Sequence, residues 1–283
     1  MRFQGPEARL SDWADPSAPH RAGPIDLVFE FVYTTLVIAG VELRKLRHDP
    51  TDLLTRAVQP ALWLLLFGQV FTRTHAVPTG HLGYLDFITP GILAQSVLFI
   101  AIFYGIAIIW ERDLGIVQKL LASPTPRGAL VLGKALSAGV RGLSQAIIVY
   151  VLAVLLGVKL RWAPEALVGV MAAVLLGSAL FSTFSLIIAS LVKTRERFMG
   201  IGQVLTMPLF FASNAIYPIE IMPRWLQAIS HINPLTYQVD ALRALMLVDG
   251  TSAYGLGVDF GVLLAVTASL VIVGAWVYPN VVR

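Results

Sequence analysis

Charged residues interrupt this chain at wide intervals and leave long apolar stretches between them. Uncharged runs cover residues 57–72, 87–110, 142–158, 166–192, 198–219 and 260–282. A helix needs about 20 apolar residues to cross the hydrocarbon core of a bilayer. With the flanks each run borrows, the pattern predicts six spans at about 53–73, 87–110, 134–158, 166–192, 198–219 and 259–282. Backbone polar groups cannot face lipid unpaired, and the alternation of a barrel strand is absent, so the expected fold class is all-α integral membrane.

Two segments fit neither span nor loop. In residues 25–48, apolar positions fall at Ile25, Val28, Phe29, Val32, Leu36, Ala39, Leu43 and Leu46, a helical stripe with charged residues off it. Its longest uncharged run, 31–41, is too short to cross. Its basic end, Arg44, Lys45 and Arg47, fits a helix lying in the membrane interface. In residues 219–240, Pro223 and Pro234, with Pro218 just before, break an apolar stretch. Each proline removes a donor and resists helix continuation. A short helix over 223–232 is expected there, presenting Trp225, Leu226 and Ile229. Broken backbone at membrane depth survives only when buried in protein or lining a wet cavity. The segment is therefore read as a re-entrant or interfacial outer hairpin between spans five and six.

Composition agrees with the pattern. The 283 residues are 57% hydrophobic and 13% charged, against about 25% charged in an ordinary soluble domain. No cysteine is present, which removes disulfides, thiolate metal sites and a cysteine nucleophile. The net charge of +4 lies between apolar runs, where it reports topology rather than nucleic-acid binding. With the N-terminus inside, the cytoplasmic side collects Arg44, Lys45, Arg47, Arg56, Arg112, Lys119, Arg127, Lys134, Lys193, Arg195, Arg197 and Arg283. The outer side keeps Arg73, Lys159, Arg161, Arg224 and Arg243. Six spans return the C-terminus to the cytoplasm. Residues 1–24, polar and rich in Pro and Ala, read as a disordered cytoplasmic tail rather than a signal peptide, ahead of a single membrane domain over 25–283.

Chemistry is sparse. Gly128 to Gly133-Lys134 has the spacing of a phosphate-binding loop, but Ala135 replaces the hydroxyl that would hold magnesium, and no strand precedes it. The histidines, His20, His48, His75, His81 and His231, all fall outside the spans, and neither a zinc-protease nor a serine-hydrolase motif occurs. The only charge expected inside a span is Arg141, able to snorkel. With no carboxylate expected in the spans, no internal ion coupling is visible. The loop after span two carries Leu114, Val117, Leu120 and Leu121 at helical spacing among charges at 111–113 and 119, and ends at Pro124. That is a short amphipathic helix suited to docking a cytosolic partner.

Three stretches resemble the membrane subunit of type-2 ATP-binding-cassette exporters, the permeases of drug-resistance, nodulation and polysaccharide export. They are residues 111–127, with Glu111-Arg112, Gly115 and the Leu-Leu-Ala-Ser123-Pro124 end, then 207–218 from Met207-Pro208 to Tyr217-Pro218, and 222–243 with Pro223, Trp225, Asn233-Pro234 and Tyr237. The resemblance implies two permease copies, as a homodimer or heterodimer, in a bacterial cytoplasmic membrane, with two separate cytosolic ATPase subunits that bind the ATP and magnesium. The chain itself would carry no cofactor, no metal and no catalytic residue. It implies that Glu111, Arg112, Gly115, Lys119, Leu120, Ser123 and Pro124 form the coupling helix, with the basic end of the interfacial helix touching the ATPase as well. Spans one, two and five would line the path, placing Phe99, Phe103, Tyr104, Phe210, Phe211, Asn214 and Tyr217 along it. Pro218, Pro223, Trp225, Asn233, Pro234 and Tyr237 would belong to the outer hairpin. The cargo expected first is a hydrophobic drug or lipid-like molecule. A polysaccharide or lipid-linked glycan is the alternative, and a non-transport scaffold or intramembrane enzyme is the competing class.

Overall fold

The structure, a computed structural model, describes residues 50–115, 127–192 and 194–277. The expected interfacial helix, with Arg44, Lys45 and Arg47, lies outside the described residues, as do the tail and the coupling residues Lys119, Leu120, Ser123 and Pro124.

The described chain is all α. The first helical run begins as α1 (Pro50–Leu62), passes through a π-helical turn (Trp63–Gly68) and continues as α2 (Gln69–Thr74). It stops at His75, whose φ of 50° is left-handed. Then come α3 (Tyr84–Asp113), α4 (Arg127–Leu155), α5 (Pro164–Leu191) and α6 (Arg195–Phe211). A single 3-10 turn (Ile219–Ile221) precedes α7 (Arg224–Ile232), α8 (Pro234–Met246) and α9 (Leu256–Val277). Four of these helices are long and apolar enough to cross a membrane: α3, α4 from Gly133, α5 and α9.

The starts and stops follow local chemistry. Pro164 sits at the first position of α5 and Pro234 at that of α8, where a missing N–H costs nothing. Asn233 caps α8 by accepting from Leu235 N at 3.0 Å. Thr194 caps α6 by accepting from Arg197 N. α6 ends at Phe211, although the uncharged run continues to 219, because the chain there turns into the bundle.

Helix α5 is central, packed against α3, α4, α8 and α9. Lipid tails are as apolar as a leucine side chain, so close packing and interhelical hydrogen bonds hold such bundles together. Small residues permit that approach here. Gly105 of α3 lies against Ser185 and Phe198, Gly142 of α4 against Ser178, and Gly177 of α5 against Gln238. Ser185 Oγ donates across to Ile102 O. The outer surface of α9 is apolar, with Ile272 and Trp276 exposed as a lipid-facing helix requires. The turn joining α4 to α5 is stitched to the end of α8. Arg161 N donates to Met246 O at 2.9 Å, and Val248 N donates to Lys159 O at 3.1 Å.

Candidate functional site

Two polar constellations stand at opposite ends of the bundle. The first gathers the ends of four helices at the base of the loop that leaves α3. Lys134 of α4 pairs with Glu111 of α3. Asp113 bridges Arg112 at 3.2 Å and Arg195 of α6 at 2.9 Å. Arg112 Nη1 also donates to Val192 O at the end of α5, 3.3 Å away, and the Arg195 guanidinium lies 4.5 Å from the Trp110 ring centroid. Beneath these charges Ile108, Ile109, Leu186, Ala189 and Phe198 form a compact apolar cluster. Gly115 stops α3 with φ of 72°, its N–H donating to Arg112 O at 2.9 Å. So Glu111, Arg112 and Gly115 lie together; Glu111 ties α3 to α4, Arg112 ties it to the end of α5, and Asp113 ties it to α6. An exposed ion pair alone contributes at most about 1 kcal/mol. A connected set that also closes helix ends fixes geometry more than it adds stability.

The second constellation is the buried end of α6. Residues 212–216 are not helical, yet all are buried. Such backbone needs partners for its carbonyls, and side chains from four places supply them. Asn233 Nδ2 donates to Leu209 O at 2.7 Å. Ser213 Oγ donates to Phe210 O at 2.7 Å and Tyr217 Oη to Phe211 O at 2.8 Å. Arg243 Nη2 of α8 donates to Asn214 O at 2.5 Å, and Tyr84 Oη of α3 to Ile216 O at 3.2 Å. Gly91 of α3 admits this turn, because a Cβ there would overlap the Ala215 carbonyl.

Arg243 is 5% exposed and lies 3.9 Å from the Phe87 ring centroid. Burial pushes its guanidinium down to about 10, opposed by the negative charges of Asp240 and Glu220, so it stays charged at neutral pH. Beside it, Asp240 Oδ2 accepts from Ser252 Oγ at 2.8 Å, Ala253 N at 2.8 Å and Tyr254 N at 3.1 Å. Ser252 Oγ also lies 2.8 Å from Asp259 Oδ2 in the first turn of α9. Tyr254 Oη pairs with His231 Nδ1 at 2.8 Å, and burial pushes its hydroxyl up to about 12.

This corrects the sequence reading in two respects. Arg243, counted from the sequence among the outer-side cations, is buried within α8 and caps carbonyls of the packed chain. A carboxylate does occur within an apolar span, because Asp259 lies in α9 and is fully buried. The spacing of Asp240, Ser252 and Asp259 around a Gly-rich turn was the available signal.

The remaining candidates divide between the two ends. Phe99 and Phe103 stack along α3 with centroids 6.0 Å apart, both half-buried, and Gly202 of α6 faces Phe103. Tyr104 lies under the Arg141 guanidinium at 5.1 Å. Phe210 is 1% exposed and meets the Trp63 ring edge-on at 5.5 Å, whereas Phe211 is exposed. Asn214 is buried in the turn after α6 and Tyr217 half-buried beside it. Pro218 precedes the 3-10 turn and Pro223 precedes α7, whose Trp225, Ile229 and Ile232 are exposed. Tyr237 Oη donates to His231 O at 2.8 Å. No cluster of three metal-ligating side chains occurs among the described residues.

Known proteins are similar to this chain in sequence. The family model described as ABC-2 type transporter matches residues 33–247. A putative transport permease, ycf38, of Cyanophora paradoxa is 31% identical over 77% of this chain and 75% of its own length. The daunorubicin resistance ABC transporter permease protein DrrB1 of Streptomyces coeruleorubidus is 29% identical over 86% and 84% of the two chains. The inner membrane transport permease YadH of Escherichia coli (strain K12) is 26% identical over 72% and 77%.

Proposed function

The chain belongs to the ABC-2 type transporter family, and from that premise we propose that it exports a hydrophobic, drug-like or lipid-like molecule across a bacterial cytoplasmic membrane. It is a multi-pass membrane permease and a transport protein, not itself an enzyme. In our reading the helical run from Pro50 to Thr74 and α6 complete six spans around the four long helices. The segment 25–48 lies in the cytoplasmic interface, the tail 1–24 precedes it, both termini are cytoplasmic, and residues 219–240 form the outer re-entrant hairpin. Two copies pair, and two ATPase subunits, holding the ATP and magnesium, engage the loop after α3 and the basic end of the interfacial helix. The printed role of the DrrB1 relative in daunorubicin resistance supports the choice of cargo.

The observation that carries this reading is the charged clamp at the root of that loop. Glu111–Lys134 and Asp113–Arg195 make α3, α4 and α6 move with whatever seats on residues 114–126. A push from a partner then becomes a rigid-body shift of helices rather than a local deformation. The aromatic residues 99, 103, 104, 210, 211 and 217, with Asn214, would border the moving path.

The test is ATP-dependent uptake of daunorubicin into inverted vesicles containing the permease with its ATPase. Uptake above vesicles lacking ATP is expected, and uptake of a glycan instead would overturn the cargo. Glu111→Lys should lower transport per ATP about tenfold, equivalent to ~1.4 kcal/mol of lost coupling, with membrane insertion unchanged. The swapped pair Glu111→Lys with Lys134→Glu should restore it. Full transport in Glu111→Lys would sink the coupling assignment.

A further inference from the structure

One apolar groove among the described residues has no part in the reading above. It lies between α4 and α5, holds about 680 Å³, and is walled by Leu143, Ile147, Val151 and Leu155 of α4 with Leu167 and Met171 of α5. Ile147, Val151 and Val154 are more than half exposed, so the groove opens away from the bundle core. Its origin is in the sequence. Gly139 and Gly142 draw the first half of α4 against Leu175 and Ser178 of α5. Beyond Leu143 no glycine occurs before Gly157, and Ile147, Val151 and Leu155 of α4 wall the groove up to the turn.

The dimensions match one leaflet. From Leu143 to Leu155 the helix rises ~18 Å at 1.5 Å per residue, against ~15 Å for half of a hydrocarbon core. The end nearest the turn is marked as a membrane interface by Trp162, which is 59% exposed and meets the Tyr150 ring edge-on at 5.9 Å. Lys159 and Arg161 stand on that turn. Arg161 is exposed and among the described residues its side chain reaches Glu165 alone, at a loose 3.6 Å, whereas Lys159 lines a separate small cavity with Asp86 and Asp249. An apolar slot one leaflet long, with the exposed Arg161 guanidinium next in sequence to Trp162 at its interfacial end, is complementary to a phospholipid and its anionic phosphate.

We infer that the α4–α5 groove is a phospholipid site that seats an acyl chain along Ile147, Val151 and Met171, with the lipid phosphate held by Arg161. The site is separate from the α6 end and from the charged clamp, so it does not depend on which cargo is exported. Glu165 competes with the lipid phosphate for Arg161, which gives the site a built-in adjustment of strength.

The test is native mass spectrometry of the purified full-length chain titrated with phosphatidylglycerol, with phosphatidylcholine in parallel. The wild type should keep a bound phosphatidylglycerol that phosphatidylcholine displaces poorly. Arg161→Gln should weaken retention about tenfold, a ~1.4 kcal/mol change. Glu165→Gln, which frees Arg161, should strengthen it, and being an exposed substitution it leaves folding intact. Ile147→Trp with Val151→Trp, filling the groove from its exposed side, should remove the bound lipid. Equal retention in Arg161→Gln and Glu165→Gln would overturn the phosphate contact, and equal retention in the filled groove would overturn the site. The chain lacks cysteine, so Val154→Cys gives one further check. A disulfide between two copies through residue 154 would show that a second copy, not lipid, covers the groove.

Discussion

Asp240 and Asp259 both reach the same serine hydroxyl, and their substitution should have unequal effects. Ser252 Oγ lies 2.8 Å from an oxygen of each carboxyl and accepts from Gly255 N at 2.7 Å. A hydroxyl carries one hydrogen, so both contacts can be hydrogen bonds only if one carboxyl supplies its own. Asp240 receives two backbone N–H groups besides the serine, and such donors favour the charged form. Asp259 is thus assigned the donor role, its other oxygen having no partner among the described residues. Asp259→Asn keeps a donor in nearly the same place and should cost under about 1 kcal/mol. Asp240→Ala strands the two backbone donors at about 1–3 kcal/mol each, or ~2–6 kcal/mol, while the Ser252 hydroxyl can turn to Asp259. At about 2–4 °C per kcal/mol for a chain of this size, the Asp240 variant should melt at least ~4 °C lower. The assay is fluorescence-detected thermal denaturation in one detergent, with Ser252→Ala as the control that removes the shared hydroxyl. If Asp259→Asn destabilises as much as Asp240→Ala, the assignment of the proton is wrong.

Three further outcomes follow from the buried turn and the lipid-facing surface. Gly91→Val should abolish monodisperse protein on size exclusion, because the new side chain meets backbone at Ala215 rather than a movable side chain, and overpacking of this kind costs about 1–3 kcal/mol or more. Gly261→Ala, with open space around its Cβ, should raise the melting temperature slightly, by the ~0.5–1 kcal/mol that alanine gains over glycine inside a helix. Arg243→Met should cost ~3–5 kcal/mol, since it strips charged caps from Asn214 O and Phe87 O and leaves Asp240 without its nearby cation. Expression yield and thermal denaturation check both of the last two.

The long helices were legible because apolar runs of spanning length have few other uses. Pro164 and Pro234 mark where α5 and α8 begin, although the apolar pattern put the first start at 166 and read Pro234 only as a break. The end of α6 was not legible, since residues 212–219 are as apolar as the helix before them. What stops that helix is a set of caps from Asn233, Arg243 and Tyr84, up to 132 residues away in sequence. The same distance hid the role of Arg243. By pattern it is one more cation near an outer loop, and only the packing of α8 against α3 turns it inward. At the other end, Glu111 and Arg112 were visible as loop charges, but their partners Lys134 and Val192 become neighbours only once α3, α4 and α5 are bundled.

The π-helical turn at Trp63–Gly68 carries an extra residue, and that residue sets the angular phase of everything after it. Trp63, Phe67 and Phe71 form a ladder across the turn, with centroids 4.5 Å and 5.9 Å apart, and Phe71 meets Tyr84 edge-on at 5.2 Å. Tyr84 is the residue that caps Ile216 O beyond α6. Expelling the extra residue would rotate α2 by about 100° and slide it ~1.5 Å along its axis. Phe71 would leave Tyr84, and the cap on Ile216 would lose its lateral support. Loss or gain of that one residue would thus re-register the whole first helical run, and the aromatic ladder is the contact that would report it.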